Sequence, residues 1–219
     1  MLRNTKGIAL PPPDPCHPDS TMGPATQSRI ALGAKDETVD VGDHIAYVWE
    51  TADEFVEAVG FLQRGIRDGD HCVVFGHDDA NKEVLRILVQ MGFNPGHLEQ
   101  SGRLTVLGGK AEGDMMLGEI GAAFQRATES GAKLIRLLGN IGWSRPGWPE
   151  DSDILAFEAK VTGAAKLFPS VVMCMYDAKS LSGNIMLHGC FETHPLIITG
   201  NVLRKNPYYV QIEEYLRRI

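Results

Sequence analysis

Cysteine is scarce in this chain. Cys16, Cys72, Cys174 and Cys190 are its four, far apart in sequence, which excludes a disulfide framework and suits a reducing compartment. No apolar run reaches the roughly 18 uninterrupted residues that a membrane-spanning helix needs. The apolar patch Gly7 to Leu10 stops at Pro11-Pro12-Pro13 and is too short for a secretory signal. A basic excess is also missing. Lys and Arg total 21 against 28 Asp and Glu, for a formal charge of −7, which weighs against a nucleic-acid partner. What is present, 43% apolar and 22% charged residues over 219 positions, supplies one sizeable core. The expectation is an acidic cytoplasmic domain with neither nucleic acid nor membrane as a direct partner.

Residues 1–40 differ in composition from the remainder. Six prolines fall between Pro11 and Pro24 among Asp, Ser, Thr and Gly, and no apolar period is visible. Such a stretch buries too little surface to offset its ordering entropy, so it reads as a disordered or loosely attached tail. Residues 41–219 read as a single domain. His44 to Trp49 is a strand, and Thr51 with Glu54 forms a capping box for a helix carrying Phe55, Val59, Leu62 and Ile66 inward. Further strands are expected at His71–Phe75, Arg103–Leu107, Lys133–Leu138, Val171–Tyr176 and Leu196–Thr199. Helices are expected at Ala80–Met91, Asp114–Ser130, Asp151–Leu167 and Ser182–Phe191, with a short one closing the chain. Several strands are apolar without alternation, as in a parallel sheet covered on both faces. This predicts a three-layer α/β/α architecture with a mostly parallel central sheet. Ligands of such sheets bind beyond the carboxyl ends of the strands.

The motifs of the familiar chemistries are missing. After the strand ending at Phe75, a phosphate-binding loop would need GxxxxGK[ST], but the chain reads Gly76-His77-Asp78-Asp79-Ala80-Asn81-Lys82. Two carboxylates there repel a triphosphate. Gly108-Gly109-Lys110 is followed by Ala111, and Leu104 stands where the first glycine belongs. No GxGxxG is present. His188-Gly189-Cys190 with His194 lacks the zinc spacings CxxC or HExxH, so no metal site is assigned. Cys72 and Cys174 lie in apolar strands, where burial makes a thiol inert. No catalytic residue and no cofactor is assigned.

Polar and aromatic residues near strand ends remain as candidates for a small-molecule site: His44, Tyr47, His77, Asn140, Trp143, Tyr176, Asp177 and His194. Each has a plainer role open to it. Tyr47 and Trp143 could be core aromatics, His44 a hydrogen-bonded strand histidine, and Asp177 a cap for the Asp-Ala-Lys-Ser turn.

Several segments together resemble the MEDS domain, the sensory domain of regulators in methanogens and methylotrophs. They are Asp43-His44-Ile45-Ala46-Tyr47-Val48-Trp49-Glu50, Phe61 to Cys72 with Gly65 and Gly69, Ser101-Gly102-Arg103-Leu104, Tyr176-Asp177, Thr193-His194-Pro195 and Asn206-Pro207-Tyr208. The resemblance covers about Gly42 to Tyr209 and rests on the order and spacing of these segments. It implies a degenerate RecA/KaiC-like fold that has lost its phosphate loop, and a non-enzymatic sensor of small hydrocarbon derivatives. His44, Tyr47, Tyr176, Asp177 and His194 match characteristic family positions. The sequence carries no DNA-binding or kinase module of its own, so a separate regulator or histidine kinase is the expected partner, with a monomer or homodimer as the assembly. Two other readings stay open: a residual nucleotide binder holding magnesium at Asp78-Asp79, and a ligand-free interaction scaffold.

Overall fold

The computed structural model describes residues 29–200, 202–211 and 214. A small hairpin, β1 (Ile30–Ala31) and β2 (Thr38–Val39), leads into β3 (His44–Trp49), α1 (Ala52–Asp68), β4 (His71–Gly76) and α2 (Asp78–Gln90). Next come α3 (Pro95–Gln100), β5 (Leu104–Gly108), α4 (Gly113–Glu129) and β6 (Ile135–Asn140). A 3₁₀ turn at Asp151–Asp153 opens α5 (Ile154–Ala165), and β7 (Ser170–Asp177), a π-helix (Ile185–Phe191), β8 (Leu196–Thr199) and β9 (Val202–Lys205) follow.

Local chemistry sets these boundaries. The Thr51 hydroxyl accepts from the Glu54 amide while the Glu54 carboxylate accepts from the Thr51 amide, so both ends of the expected capping box form. The helix stops at Gly69, whose φ of 88° is one that a side-chain-bearing residue adopts only with strain. The seven-stranded sheet has the order β5-β4-β6-β7-β3-β8-β9. Its pairs are parallel except for β8 with β9. Helices α1 and α2 cover one face, around Ile45, Phe61, Leu62, Val74 and Leu88. Helices α4, α5 and the π-helix cover the other, around Val73, Phe124, Phe157, Val172 and Tyr176. The three-layer, mostly parallel architecture expected from the apolar strands is therefore present.

Four details differ from expectation. Residues 29–40, placed by composition in the loose tail, pack as structure: Leu32, Ala34 and Val39 are buried in the core over α1, and the Leu32 carbonyl accepts from the Arg136 guanidinium. Too few apolar residues occur there to form a visible period, yet three of them suffice to seat the segment. Residues 1–28 lie outside the described residues. Between the expected helix ending at Met91 and the expected strand at Arg103, Pro95–Gln100 forms a further helix, capped by the Asn94 side chain. The helix expected at Ser182–Phe191 begins later and winds as a π-helix. The strand β9 was not anticipated, although Gly200-Asn201 between two short runs is a hairpin signal. The helix expected to close the chain falls largely outside the described residues.

Candidate functional sites: an open cleft and a sealed polar cluster

The sequence neighbours β4 and β5 lie on one side of the sheet, and the chain then returns past β4 to add β6. A crevice opens beyond the carboxyl ends of strands at such a reversal. Here it is a cleft of about 360 Å³ lined by Trp49 of β3, Phe55 and Val56 of α1, Asn140 and Ile141 at the end of β6, and Met175 of β7. His77, Asp79, Arg145 and Asp177 stand at its polar edge. The apolar wall is ordered by the edge-on contact of Trp49 with Phe55, ring centroids 5.0 Å apart.

Three of the eight sequence candidates, His77, Asn140 and Asp177, line this cleft. His77 caps α2, its Nδ1 accepting from the Ala80 amide at 3.3 Å, and burial lowers its pKa. Asp177 accepts from the Lys179 amide at 2.9 Å and the Ser180 hydroxyl at 2.7 Å. It fixes its own turn, the plainer role open to it. Asn140 is 3% exposed, and its side-chain nitrogen has no hydrogen-bond partner. Buried amide donors are seldom left so. The wall also contains residues that sequence reasoning passed over: Trp49 sits at the end of a strand already read as one, whereas Phe55 reads as helix core and Met175 as strand core.

The other candidates go elsewhere. Tyr47 points to the opposite face of β3 from His44, and its hydroxyl faces Glu57 at 3.4 Å, a carboxylate that also pairs with Lys35. Burial raises the Tyr47 pKa. Trp143 is core, its ring tilted against those of Trp148 and Phe157 with centroids 5.4 and 4.7 Å away. Of the glycines in Gly108-Gly109-Lys110, Gly109 serves Trp148, together with Gly142 after β6. A Cβ on Gly109 would stand 1.9 Å from its ring and one on Gly142 2.7 Å, so the indole lies flat against bare backbone.

His44, Tyr176 and His194 meet in a second place, sealed beneath the sheet on the α5 face. The parallel register pairs Ala46 with Cys174 and Val48 with Tyr176, so His44, Cys174 and Tyr176 share the face turned to α5. Helix α5 adds Glu158 and, one turn on, Thr162. Glu158, Thr162, His44, Tyr176 and His194 are each 0% exposed. Glu158 Oε1 accepts from the Tyr176 hydroxyl at 2.8 Å. Its Oε2 lies 3.6 Å from His44 Nε2, 3.8 Å from His194 Nε2 and 3.8 Å from Cys174 Sγ. His44 Nε2 is 3.3 Å from Cys174 Sγ, and the two imidazole centroids are 3.9 Å apart.

The ring nitrogens facing away are engaged. His194 Nδ1 sits 3.1 and 3.0 Å from the carbonyls of Gly189 and Cys190, which the wide turn of the π-helix brings together. Carbonyls only accept, so Nδ1 carries the proton and Nε2 presents a bare lone pair inward. That Nε2 has no hydrogen-bond partner. His44 Nδ1 is 2.8 Å from the Thr162 hydroxyl, which itself lies within 3.0 Å of the Glu158 and Thr193 carbonyls. The hydroxyl proton goes to a carbonyl, so His44 Nδ1 is again the donor, and its unprotonated Nε2 faces the Cys174 thiol within hydrogen-bond reach at 3.3 Å. Burial lowers both imidazoles, His194 to about 3, and raises Glu158 to about 8. Two neutral imidazoles offer the carboxyl no cation. Sequence reasoning read Cys174 as inert core and never singled out Glu158, because the group draws on β3, α5, β7 and the segment after the π-helix, which share no local spacing.

The fold and these sites define a three-layer α/β domain with an open ligand-sized cleft and without a phosphate-binding loop. Residues 43–195 match the MEDS family, described as the methanogen/methylotroph, DcmR sensory domain, and the chain belongs to that family. It is also similar to the transcriptional repressor DcmR of Methylorubrum extorquens, 23% identical over 147 residues. That similarity covers 66% of this chain and 56% of the repressor, so the chain spans little more than half the length of that relative. Among the described residues no helix is long and apolar enough to cross a membrane.

Proposed function

We propose that this chain is a non-enzymatic cytoplasmic sensor domain that binds a small, mainly apolar organic molecule in the cleft at the strand ends. The observation that carries this reading is the buried, unpartnered Asn140 amide at the cleft wall. An aromatic and aliphatic wall with a buried unpartnered donor, rimmed by His77, Asp79, Arg145 and Asp177, suits a ligand with a hydrocarbon body and an acceptor group. The cleft is the degenerate counterpart of a RecA/KaiC-like nucleotide site. Where phosphates would meet a helix N-terminus, the first turn of α2 carries Asp78 and Asp79, whose charges oppose an anion there. Binding shifts a conformational equilibrium only through a difference in affinity between two states. The loop after β6 is the element to move: it brings Arg145 to the cleft and holds Ser144 at a φ of 61°, uncommon for a residue other than glycine. The output passes to a separate regulator or histidine kinase, from a monomer or homodimer, and not directly to nucleic acid.

A thermal-shift screen of the full chain tests this. Short alcohols, carboxylic acids and halogenated hydrocarbons form one arm, and ATP with magnesium the other. The expected result is stabilisation by a member of the first arm, weakened at least tenfold in apparent affinity by Asn140→Leu. Stabilisation by magnesium-ATP alone would replace this reading with a nucleotide binder, and a flat response in both arms would leave an interaction scaffold.

A further inference from the structure

We propose that His44, Glu158, Cys174 and His194 form a buried four-coordinate site for one divalent transition-metal ion, zinc being the best match to the donors. The four offer one ligand atom each, all within 4.8 Å of one another. The site is separate from the cleft and does not rest on what the cleft binds.

Three observations converge. The first is spacing. Zinc bonds of about 2.0–2.3 Å to N, O and S in a tetrahedron place neighbouring donors roughly 3.3–3.6 Å apart. Here the separations are 3.3 Å for His44 with Cys174, 3.6 Å for His44 with Glu158, and 3.8 Å for Glu158 with both His194 and Cys174. The nitrogen–oxygen contacts of 3.6 and 3.8 Å are too long for good hydrogen bonds and need to close by a few tenths of an ångström around an ion, while the remaining pairs, His194 with His44 and with Cys174, start within 4.8 Å.

The second is orientation. Metal-bound histidines donate their other nitrogen to an outer acceptor, which fixes tautomer and ring direction. Thr162 does this for His44, and the Gly189 and Cys190 carbonyls do it for His194. The Tyr176 hydroxyl steadies the free oxygen of Glu158. A histidine serving only as core would have no need to keep Nε2 bare, as His194 does at 0% exposure.

The third is charge. Glu158 is fully buried without a Lys or Arg partner, and an uncompensated carboxylate in such a place is costly. A dication bound by one carboxylate, one thiolate and two neutral imidazoles leaves a neutral site. On binding, the Cys174 thiol proton, and the Glu158 proton where the carboxyl is protonated, leave to solvent while the imidazoles release none. A thiolate with two imidazoles selects zinc-like ions over magnesium or calcium. With four protein ligands and no open position, the site is structural. It ties β3, α5, β7 and the π-helix segment together.

The full chain, purified without a histidine tag or chelator, is assayed for metal by mass spectrometry, then stripped and titrated with Co(II). The expected result is one zinc or similar ion per chain. Co(II) should then give intense tetrahedral bands with a thiolate charge-transfer band. Cys174→Ser removes that band, and Thr162→Val, outside the coordination sphere, weakens metal binding about 10–100-fold. Where Cys174→Ser does not fold, the triple variant Cys16→Ala/Cys72→Ala/Cys190→Ala decides, since its only thiol is Cys174 and it should keep the band. A folded wild-type chain that takes up neither zinc nor Co(II) overturns the site. So does a thiolate band that survives in Cys174→Ser or vanishes in a folded triple variant.

Discussion

Arg136 shows how much one residue can commit. It is fully buried on β6, its Nε donating to Asp70 at 2.7 Å and its Nη1 to the Leu32 carbonyl at 3.0 Å, with the guanidinium over the Phe61 ring. Removing one partner of a buried pair strands the other charge, whereas replacing the charge itself with an apolar side chain of similar volume costs much less. Asp70→Ala should therefore lower unfolding free energy by about 3–5 kcal/mol, and Asp70→Ala/Arg136→Met should recover a large part of it. Urea denaturation of the two variants checks this; equal losses would mean that the pair is not coupled. The sequence shows an arginine within a strand but not its carboxylate, because Asp70 and Arg136 are 66 positions apart.

At the scale of elements, capping chemistry was readable and weak packing was not. Thr51-Glu54 and the Gly69 stop are local, so α1 follows from a handful of residues. The β1–β2 hairpin gives no periodic signal in two-residue strands, and its place is decided by what Leu32 and Val39 touch. A loosely attached tail would tolerate any change there. Leu32→Ala is instead expected to cost about 2–5 kcal/mol, the range for emptying a buried leucine site, read as a shift of the urea midpoint at constant slope. The π-helix was legible as helix but not as π-type. Its wider turn accommodates Gly189 where a Cβ would lie 2.6 Å from Ile154, a constraint visible only once α5 is in place.

For the molecule as a whole, pH tests how the core treats its buried histidines. His71 is buried at the start of β4, its Nδ1 donating to the Gly102 carbonyl at 2.8 Å and its Nε2 facing Thr105. Desolvation lowers its pKa. The fold therefore holds it neutral while the unfolded chain protonates it below about 6.5. Its stabilisation is complete above that value and declines as pH falls toward the lowered folded pKa, with a slope of up to about 1.4 kcal/mol per pH unit for one proton. His71→Asn keeps a donor for Gly102 without titrating. Between pH 7 and 5 its stability should fall less steeply than that of the wild type, and parallel profiles would show that His71 does not contribute.

What the sequence determined by itself were the features written in neighbouring residues: the strand–helix alternation, the parallel sheet implied by unalternating apolar strands, and the lack of a GxxxxGK[ST] motif, where Asp78 and Asp79 open α2 instead. It also named eight polar and aromatic residues near the strand ends as site candidates. Only the tertiary structure divided them, sending His77, Asn140 and Asp177 to the cleft, Tyr47 and Trp143 to the core, and His44, Tyr176 and His194 to the sealed cluster with Glu158 and Cys174. The physical reason is register. In β3 a difference of three positions turns His44 and Tyr47 to opposite faces of the sheet, and parallel pairing then sets His44 beside residues 130 positions away.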